Sequence, residues 1–445
     1  MEFPFHDISA VTHRDPLPQA ADVVVIGGGV IGVCTALYLA RAGERVVLVE
    51  KGRIAAEESG RNWGWVRAQG RDAAELPIML ESRRLWADLA AETGNAFGLT
   101  RAGVLYPAGS DREMADFARW TALAHTHEMD TTLLDRAALA RLMPHRAGWI
   151  GGMWTASDLR AEPFLAVPAL ARLARAAGVT IREHCAARGF SRKAGALSAV
   201  VTEAGTISAT RAVLAGGAWS SLLLRREGMS IPQLSVIASV LRTAPMTPPF
   251  PGAAADHDFA LRPRADGGLT LAPGGWHEFH LGPDSFRHLR AYLPQLRANL
   301  SGTRLLGPAP AGYPDAVSTP RRWSLDGESP FERMRILNPR PDQNRLGRVL
   351  TSFARAFPAL GRPQVAETWA GMIDVMPDVV PVVDYAPLPG LVVATGMSGH
   401  GFGIGPGMGR VVADLVRGRA PGHDLRRFRW GRFSDGSKLD LGLAL

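Results

Sequence analysis

Gly27, Gly29 and Gly32 form the pattern G-x-G-x-x-G inside DVVVIGGGVIGVCTALYLARAGERVVLVE, residues 22–50. The first glycine permits a tight turn, the second lets backbone approach a pyrophosphate, and the third lets a helix pack closely on a strand. Val30 and Ile31 fall where that helix begins, so their N–H groups and the partial positive charge of the helix end are available to phosphates. Glu50 closes the second apolar run about 20 residues further on, where a carboxylate accepts hydrogen bonds from a ribose. That acid disfavours a 2′-phosphate, which leaves FAD and NAD open and sets NADP aside. Lys51 follows it.

A second concentration of chemistry lies at residues 57–72, EESGRNWGWVRAQGRD. Ser59, Gly60 and Asn62 can offer hydrogen bonds to pyrophosphate or ribityl oxygens, with Arg61 beside them. Gly64 lets backbone pass close to a flat ring, and Trp65 adds an aromatic face. Arg67 and Arg71 are then available to the anionic end of a substrate, or equally to a structural Asp or Glu.

These residues need elements to hold them. Residues 22–50 read as a βαβ unit: a β-branched run, a glycine turn, a helix-length segment with Gly43 as its stop, and a second apolar run. Helices are expected at 80–94, 283–300 and 345–360. Strands are expected at 101–107, 197–202 and 211–215, and helical patches around a short strand at 111–143. Residues 163–188 read as a Pro-started helix, a Gly stop and a strand. In RAVLAGGAWSSLL a strand runs into a glycine turn carrying Gly216 and Trp219. Residues 229–282 are rich in Pro, Gly and strand patterns. Because α/β grammar comes, goes and returns, two domains built from separated segments fit better than two halves, and 445 residues exceed what one core usually serves.

A net charge of +8 permits a polyanion partner, but Lys occurs only at Lys51, Lys193 and Lys438 and the arginines are scattered, so nucleic acid is not expected. Cys34 and Cys185 have no metal-ligand or disulfide spacing, and no metal is expected. The first 15 residues lack a signal-peptide pattern and no apolar run is long enough to span a bilayer. A cytoplasmic location is the expectation, with peripheral membrane association left open.

With these pieces in place the chain resembles the FAD-dependent D-amino-acid oxidase superfamily, particularly its glycine oxidase, sarcosine oxidase and D-amino-acid dehydrogenase branches. The matching stretches are the fingerprint above, SGRNWGWVR, LAGGAWSSLL, ALRPRADGGLTLAP, TWAGMIDVMPDVVPVVD and TGMSGHGFGIGPGMGRVVADL. The resemblance implies an α/β fold: a doubly wound, glutathione-reductase-like FAD domain (20–100, 160–228 and 365–434) and a discontinuous α+β substrate domain with an antiparallel sheet (101–159 and 229–364). It implies oxidation of the C–N bond of a D-amino acid or related amine by hydride transfer to flavin N5, giving an imine that water hydrolyses. An N-substituted amino acid of the sarcosine or γ-glutamyl-amine type is the alternative, and an NAD-dependent dehydrogenase a weaker one. The electron acceptor is O2 or a quinone or carrier.

Under this resemblance SGHGFGIGPGMG, residues 398–409, is a loop between a strand at 391–395 and a helix at 407–417. Gly399, Gly401, Phe402 and Gly403 then bring backbone to the flavin, where negative charge grows on reduction. His400 is a candidate to face the ring or substrate.

The pattern also breaks. Relatives place a carboxylate-binding Arg where this chain has Ile373, a Lys where it has Gly403, and a flavin-linking Cys where it has Gly371, so FAD is expected to bind noncovalently. Arg67 and Arg322 are the candidates to replace the missing anchors, and Asp374 is a candidate partner for a cationic amine.

Overall fold

The computed structural model describes residues 11–145, 148–298 and 302–442. The expected βαβ unit is present as β1 (Val23–Ile26), α1 (Val30–Arg41) and β2 (Val46–Val49), with all eight strand residues buried. Strands rich in Val on both faces suit a parallel sheet covered on both sides. Gly43, at φ +89°, stops α1 in the left-handed conformation.

The elements that matter for the site follow in order: α2 (Glu58–Arg61), α3 (Leu76–Glu92), α4 (Pro163–Ala176), β3 (Thr180–Arg182), β4 (Ala212–Leu214), β5 (Leu234–Thr243), β6 (Val365–Val375), β7 (Val382–Tyr385), β8 (Leu391–Thr395) and α5 (Gly401–Val416). Six strands form one sheet in the order β7-β8-β4-β1-β2-β3, parallel except for β7 against β8. The connection reverses direction about β1, which makes a crevice at the carboxyl ends of β1, β2 and β4. A second, mixed and mainly antiparallel sheet draws on strands between 104 and 308, and β6 joins it by pairing with β5 from Leu234↔Val375 to Thr243↔Val365. The fold is thus α/β with a doubly wound sheet and a separate mixed sheet.

Most expected elements occur close to their sequence positions. The middle region has helices Asp111–Thr126 and Arg136–Leu142 around strand Thr131–Asp135, and the expected late helix is Gln343–Ala356. The helix expected at 283–300 is broken into Pro283–Arg287 and Leu289–Ala298, and its last two positions lie outside the described residues, as do residues 1–10.

One expectation is overturned. SGHGFGIGPGMG is not a loop: only Ser398 and Gly399, at φ +52° and +81°, make the turn, and α5 begins at Gly401. Glycine disfavours helix by about 1 kcal/mol per residue, but close packing outweighs that preference. A Cβ on Gly405 would lie 2.5 Å from Val30 Cγ2, one on Gly407 2.6 Å from the Ile78 carbonyl, and one on Gly409 2.5 Å from Cys34 Cβ. The small residues let α5 sit tightly against both α1 and α3. Pro406 removes one N–H from the ladder. Ser82 Oγ, on α3, mends the neighbouring rung by donating to the Gly403 carbonyl at 2.8 Å and accepting from the Gly407 N–H at 3.1 Å.

Gly409→Ala should therefore lower stability by about 1 to 3 kcal/mol, because the Cys34 backbone carbon, 2.8 Å away, cannot rotate aside. Gly347→Ala, in a helix with nothing within 4 Å, should leave stability unchanged or raise it by about 0.5 to 1 kcal/mol. Thermal denaturation of the two variants measures the contrast.

Candidate functional site

The crevice at the sheet switch point opens into a cavity of about 360 Å³ lined by Gly27, Gly29, Val30, Ile31 and Glu50 from the first unit. A Cβ on Gly27 would meet the Ala215 carbonyl at 2.3 Å and one on Gly32 the Gly27 carbonyl at 2.0 Å. Gly32 is therefore the helix-to-strand contact and does not line the cavity. Glu50 accepts N–H bonds from Gly28 at 2.6 Å and Gly52 at 2.7 Å, which shapes the turn. Burial raises its carboxyl above the usual range, against the pull of Lys51 and these two donors.

The 57–72 segment divides into residues that face the cavity and residues that tie the wall together. Ser59 Oγ accepts the Val30 N–H at 2.9 Å, meeting one free donor of α1. Lys51 Nζ has acceptors at Glu57, Met334 and Arg335 and lies 4.2 Å from the Trp219 ring, so all three of its donors are engaged by protein. Arg61 donates to the carbonyls of Ala56 and Ala370 and to Asn338, and Asn62 makes a turn with Ser59 and Gly64. Lys51, Arg61 and Asn62 line the cavity, but their polar groups hold its wall. Gly60 and Gly64 lie behind it; a Cβ on Gly64 would strike the Ala161 carbonyl at 2.3 Å.

The cavity is also lined by Gly216, Trp219, Asp374, Gly399, His400, Gly401 and Phe402. Gly403 is displaced from it, since helix formation turns that residue toward the Trp65 carbonyl, 3.2 Å from where its Cβ would be. Arg322 is exposed and away from the cavity, in the irregular stretch between the strand Thr303–Pro308 and the helix Pro330–Arg333, so it is corrected out of the site.

Arg67 and Arg71 both line the cavity near Trp63 and Trp65. Arg67 lies 5.7 Å from the Trp65 ring and 5.3 Å from that of Tyr106, and donates to the Gln69 carbonyl. Arg71 is only 4% exposed, and its Nε and Nη1 are buried without an acceptor among the described residues. Burial, then the charge of Arg67, lowers it to about 9, which leaves it cationic at neutral pH. A buried guanidinium with two idle donors is costly unless an anion arrives.

Beside it, His400 Nδ1 is 2.9 Å from Glu75 Oε2. Burial followed by Arg71 lowers the imidazole below its ordinary value, against the pull of Glu75. Burial would raise Glu75, but His400 and Arg71 outweigh it and keep the acid below its usual value. Both shifts describe one state: a carboxylate accepting Nδ1–H from a neutral imidazole, with Nε2 left as the acceptor. Glu57, Glu58 and Glu75 were not singled out from sequence. Single acids at helix starts give no periodic signal, and only the folded chain brings Glu57 and Glu58 to the cavity wall and Glu75 behind it against His400.

The match to the family of "FAD dependent oxidoreductase" proteins spans residues 22–415. The chain is 25% identical over 434 residues to sarcosine oxidase subunit beta of Rhizobium meliloti (96% of this chain, 91% of the relative). It is 27% identical over 455 residues to the D-amino acid dehydrogenase of Paramagnetospirillum magneticum (89% and 95%). Among solved structures, an L-amino acid deaminase from Proteus myxofaciens in complex with anthranilate superposes with a TM-score of 0.90 at 28% identity, covering 96% of this chain and 97% of that one. The residues present fit a flavin dinucleotide: a glycine cradle that a Cβ would fill, a helix end above it, and an acid at the close of β2. FAD therefore replaces NAD as the cofactor, and the chain belongs to the FAD-dependent oxidoreductases of the D-amino-acid oxidase family, as an amino acid or amine oxidoreductase.

Proposed function

We propose that this chain oxidises the C–N bond of an amino acid whose carboxylate is held by Arg71, with Arg67 as its neighbour. The observation that carries the reading is the pair of idle, buried Arg71 donors in the same cavity as the dinucleotide cradle. A carboxylate there would receive charge-assisted hydrogen bonds and relieve the repulsion between two adjacent guanidiniums. Trp63, Trp65 and Phe402 supply apolar walls that keep water from that contact. His400 Nε2 can accept an N–H of the substrate amine, since its other nitrogen is committed to Glu75. Bound noncovalently, FAD would supply the two-electron acceptor for the Cα hydride, and water would hydrolyse the resulting imine.

Asp374, a candidate for the amine, is less suited to that role: it is 1% exposed and one of its oxygens is held by three donors. We place the domain division at the boundaries expected from sequence, with β6 at the join because it pairs with β5. A reducing, cytoplasmic setting suits the two buried free cysteines. The acceptor is O2 or a quinone or carrier.

Purified protein should be yellow, and anaerobic addition of substrates should sort them by carboxylate. The relatives bear names of both hands of amino acid, so both enantiomers are included, with N-methyl amino acids and polyamines. Bleaching by amino acids but not by polyamines is the expected result. Bleaching by polyamines alone would exclude the carboxylate anchor.

A further inference from the structure

Glu58 and Asp374 meet in the wall of the FAD cavity although 316 residues separate them in the chain. Glu58 opens α2 and Asp374 lies near the end of β6. The Asp374 N–H reaches Glu58 Oε2 at 3.4 Å, and the two side-chain carboxyls are in hydrogen-bonding contact. Asp374 Oδ2 accepts from Gly396 N–H at 2.7 Å, Gln233 Nε2 at 3.0 Å and Thr395 Oγ1 at 3.2 Å. Among the described residues its buried Oδ1 has no donor in good hydrogen-bonding geometry, although the backbone N–H groups of Met397 and Ser398 also favour the carboxylate. Among the described residues no ion pair includes either carboxyl.

Two carboxylates in contact away from a cation cannot both ionise easily. Three donors on Asp374 favour the negative charge there. The proton then belongs on Glu58, whose O–H can donate to the Asp374 carboxylate it touches. We propose that Glu58 and Asp374 share one proton, and that a neutral Glu58 is what allows this cavity to take the anionic dinucleotide, so that losing the proton weakens FAD binding. This makes Glu58 a positioning residue for the cofactor. The inference rests on the cavity being the FAD site and is independent of the substrate reading.

The surroundings support it. Ser59, the next residue, accepts a donor of α1 where the diphosphate charge would rest, so an ionised Glu58 would stand beside that charge. Glu57 adds a like charge, although it is itself held by Lys51, the Trp219 indole N–H and the Leu337 N–H. Arg61, on the same turn, directs its guanidinium to two carbonyls and Asn338. Behind Asp374, the Tyr292 hydroxyl reaches the carbonyls of Pro232 and Val375, and Asp378 pairs with Arg432 and Arg427. Burial, then Asp374, holds Glu58 well above the usual carboxylate range, and burial also raises Asp374.

The sign follows from linkage. A carboxyl raised on folding binds more protons in the folded chain, so its contribution is full below about pH 4, the ordinary Glu range, and declines as pH climbs toward its folded value. A bound diphosphate raises Glu58 further. FAD binding therefore draws in a proton on the alkaline side, and affinity falls there.

Apoprotein titrated with FAD from about pH 6 to 9, by flavin fluorescence quenching, reads the Kd, and calorimetry in two buffers of different ionisation enthalpy reads proton uptake. The expected result is a wild-type Kd that rises toward tenfold per pH unit on the alkaline limb, with uptake approaching one proton. Glu58→Gln, neutral at every pH, should flatten both. Asp374→Asn removes the like charge and should move the rise to lower pH. Equal slopes and equal uptake for wild type and Glu58→Gln overturn the proposal. If Glu58→Gln does not fold, an unshifted profile in Asp374→Asn overturns it. Absence of FAD binding at every pH overturns it together with the cofactor assignment, whereas tight FAD binding without substrate bleaching strikes only the amino-acid reading.

Discussion

Replacing Arg71 with alanine should lower kcat/KM for an amino acid substrate by about ten- to a hundredfold, the worth of a hydrogen bond to a charged group at roughly 1.5 to 3 kcal/mol. The loss should fall mainly on KM if the carboxylate is bound equally in ground and transition states. Arg71→Lys should recover only part of it, because an ammonium offers a point charge in place of the planar fork. The protein itself should tolerate the change. Arg71 Nε and Nη1 make no hydrogen bond among the described residues, and removing a buried cation relieves repulsion from Arg67. An Arg71→Ala enzyme with unchanged KM and full stability would remove this residue from the site. Arg67→Ala, measured beside it, separates the two guanidiniums: its stacking near Trp65 and Tyr106 predicts some loss of packing as well as of binding.

Gly27→Ala should yield a colourless protein. Gly27 has φ +114°, and a Cβ there would lie 2.3 Å from the Ala215 carbonyl oxygen, so both the backbone and the β1–β4 contact must give. Strain of about 1 to 3 kcal/mol at such a φ, together with about 1 to 3 kcal/mol for the clash, predicts a fall in FAD affinity of about a hundredfold or more. Gly43→Ala is the control. It also has positive φ, but nothing lies within 4 Å, so it should lose about 1 kcal/mol of stability and keep its FAD affinity. Equal FAD affinity in the two variants would mean that the turn at Gly27 does not shape the cofactor site.

The contrast between these two arginines and two glycines shows how far the chain can be read before it folds. The βαβ unit was legible because its signals are local: two runs of β-branched residues, a glycine turn and a helix stop, all within 30 residues. The sheet's last strand at 391–395 and the Pro-started helix at 163 were legible for the same reason. The glycine-rich stretch near the end of the chain was not. Six glycines and a proline argue locally for a loop, yet Gly405, Gly407 and Gly409 are helical because α1 and α3 approach too closely for any side chain. Their freedom from a Cβ serves helix packing; of that stretch Ser398 to Phe402 line the cavity.

Sequence alone determined the βαβ dinucleotide cradle, because turn geometry, apolar periodicity and the acid at the end of β2 are all short-range properties, while the doubly wound sheet and the amine chemistry were expectations carried by the family resemblance. Tertiary structure decided which of the many arginines is idle. Arg322 and Arg71 look alike in the chain, but one is exposed and the other is 4% exposed with two donors unpaired among the described residues. It also brought Glu75 to His400 and Glu58 to Asp374 across more than 300 residues. The value of a charge depends on its burial and on the charges beside it, and neither exists until the sheets, helices and loops have closed around it.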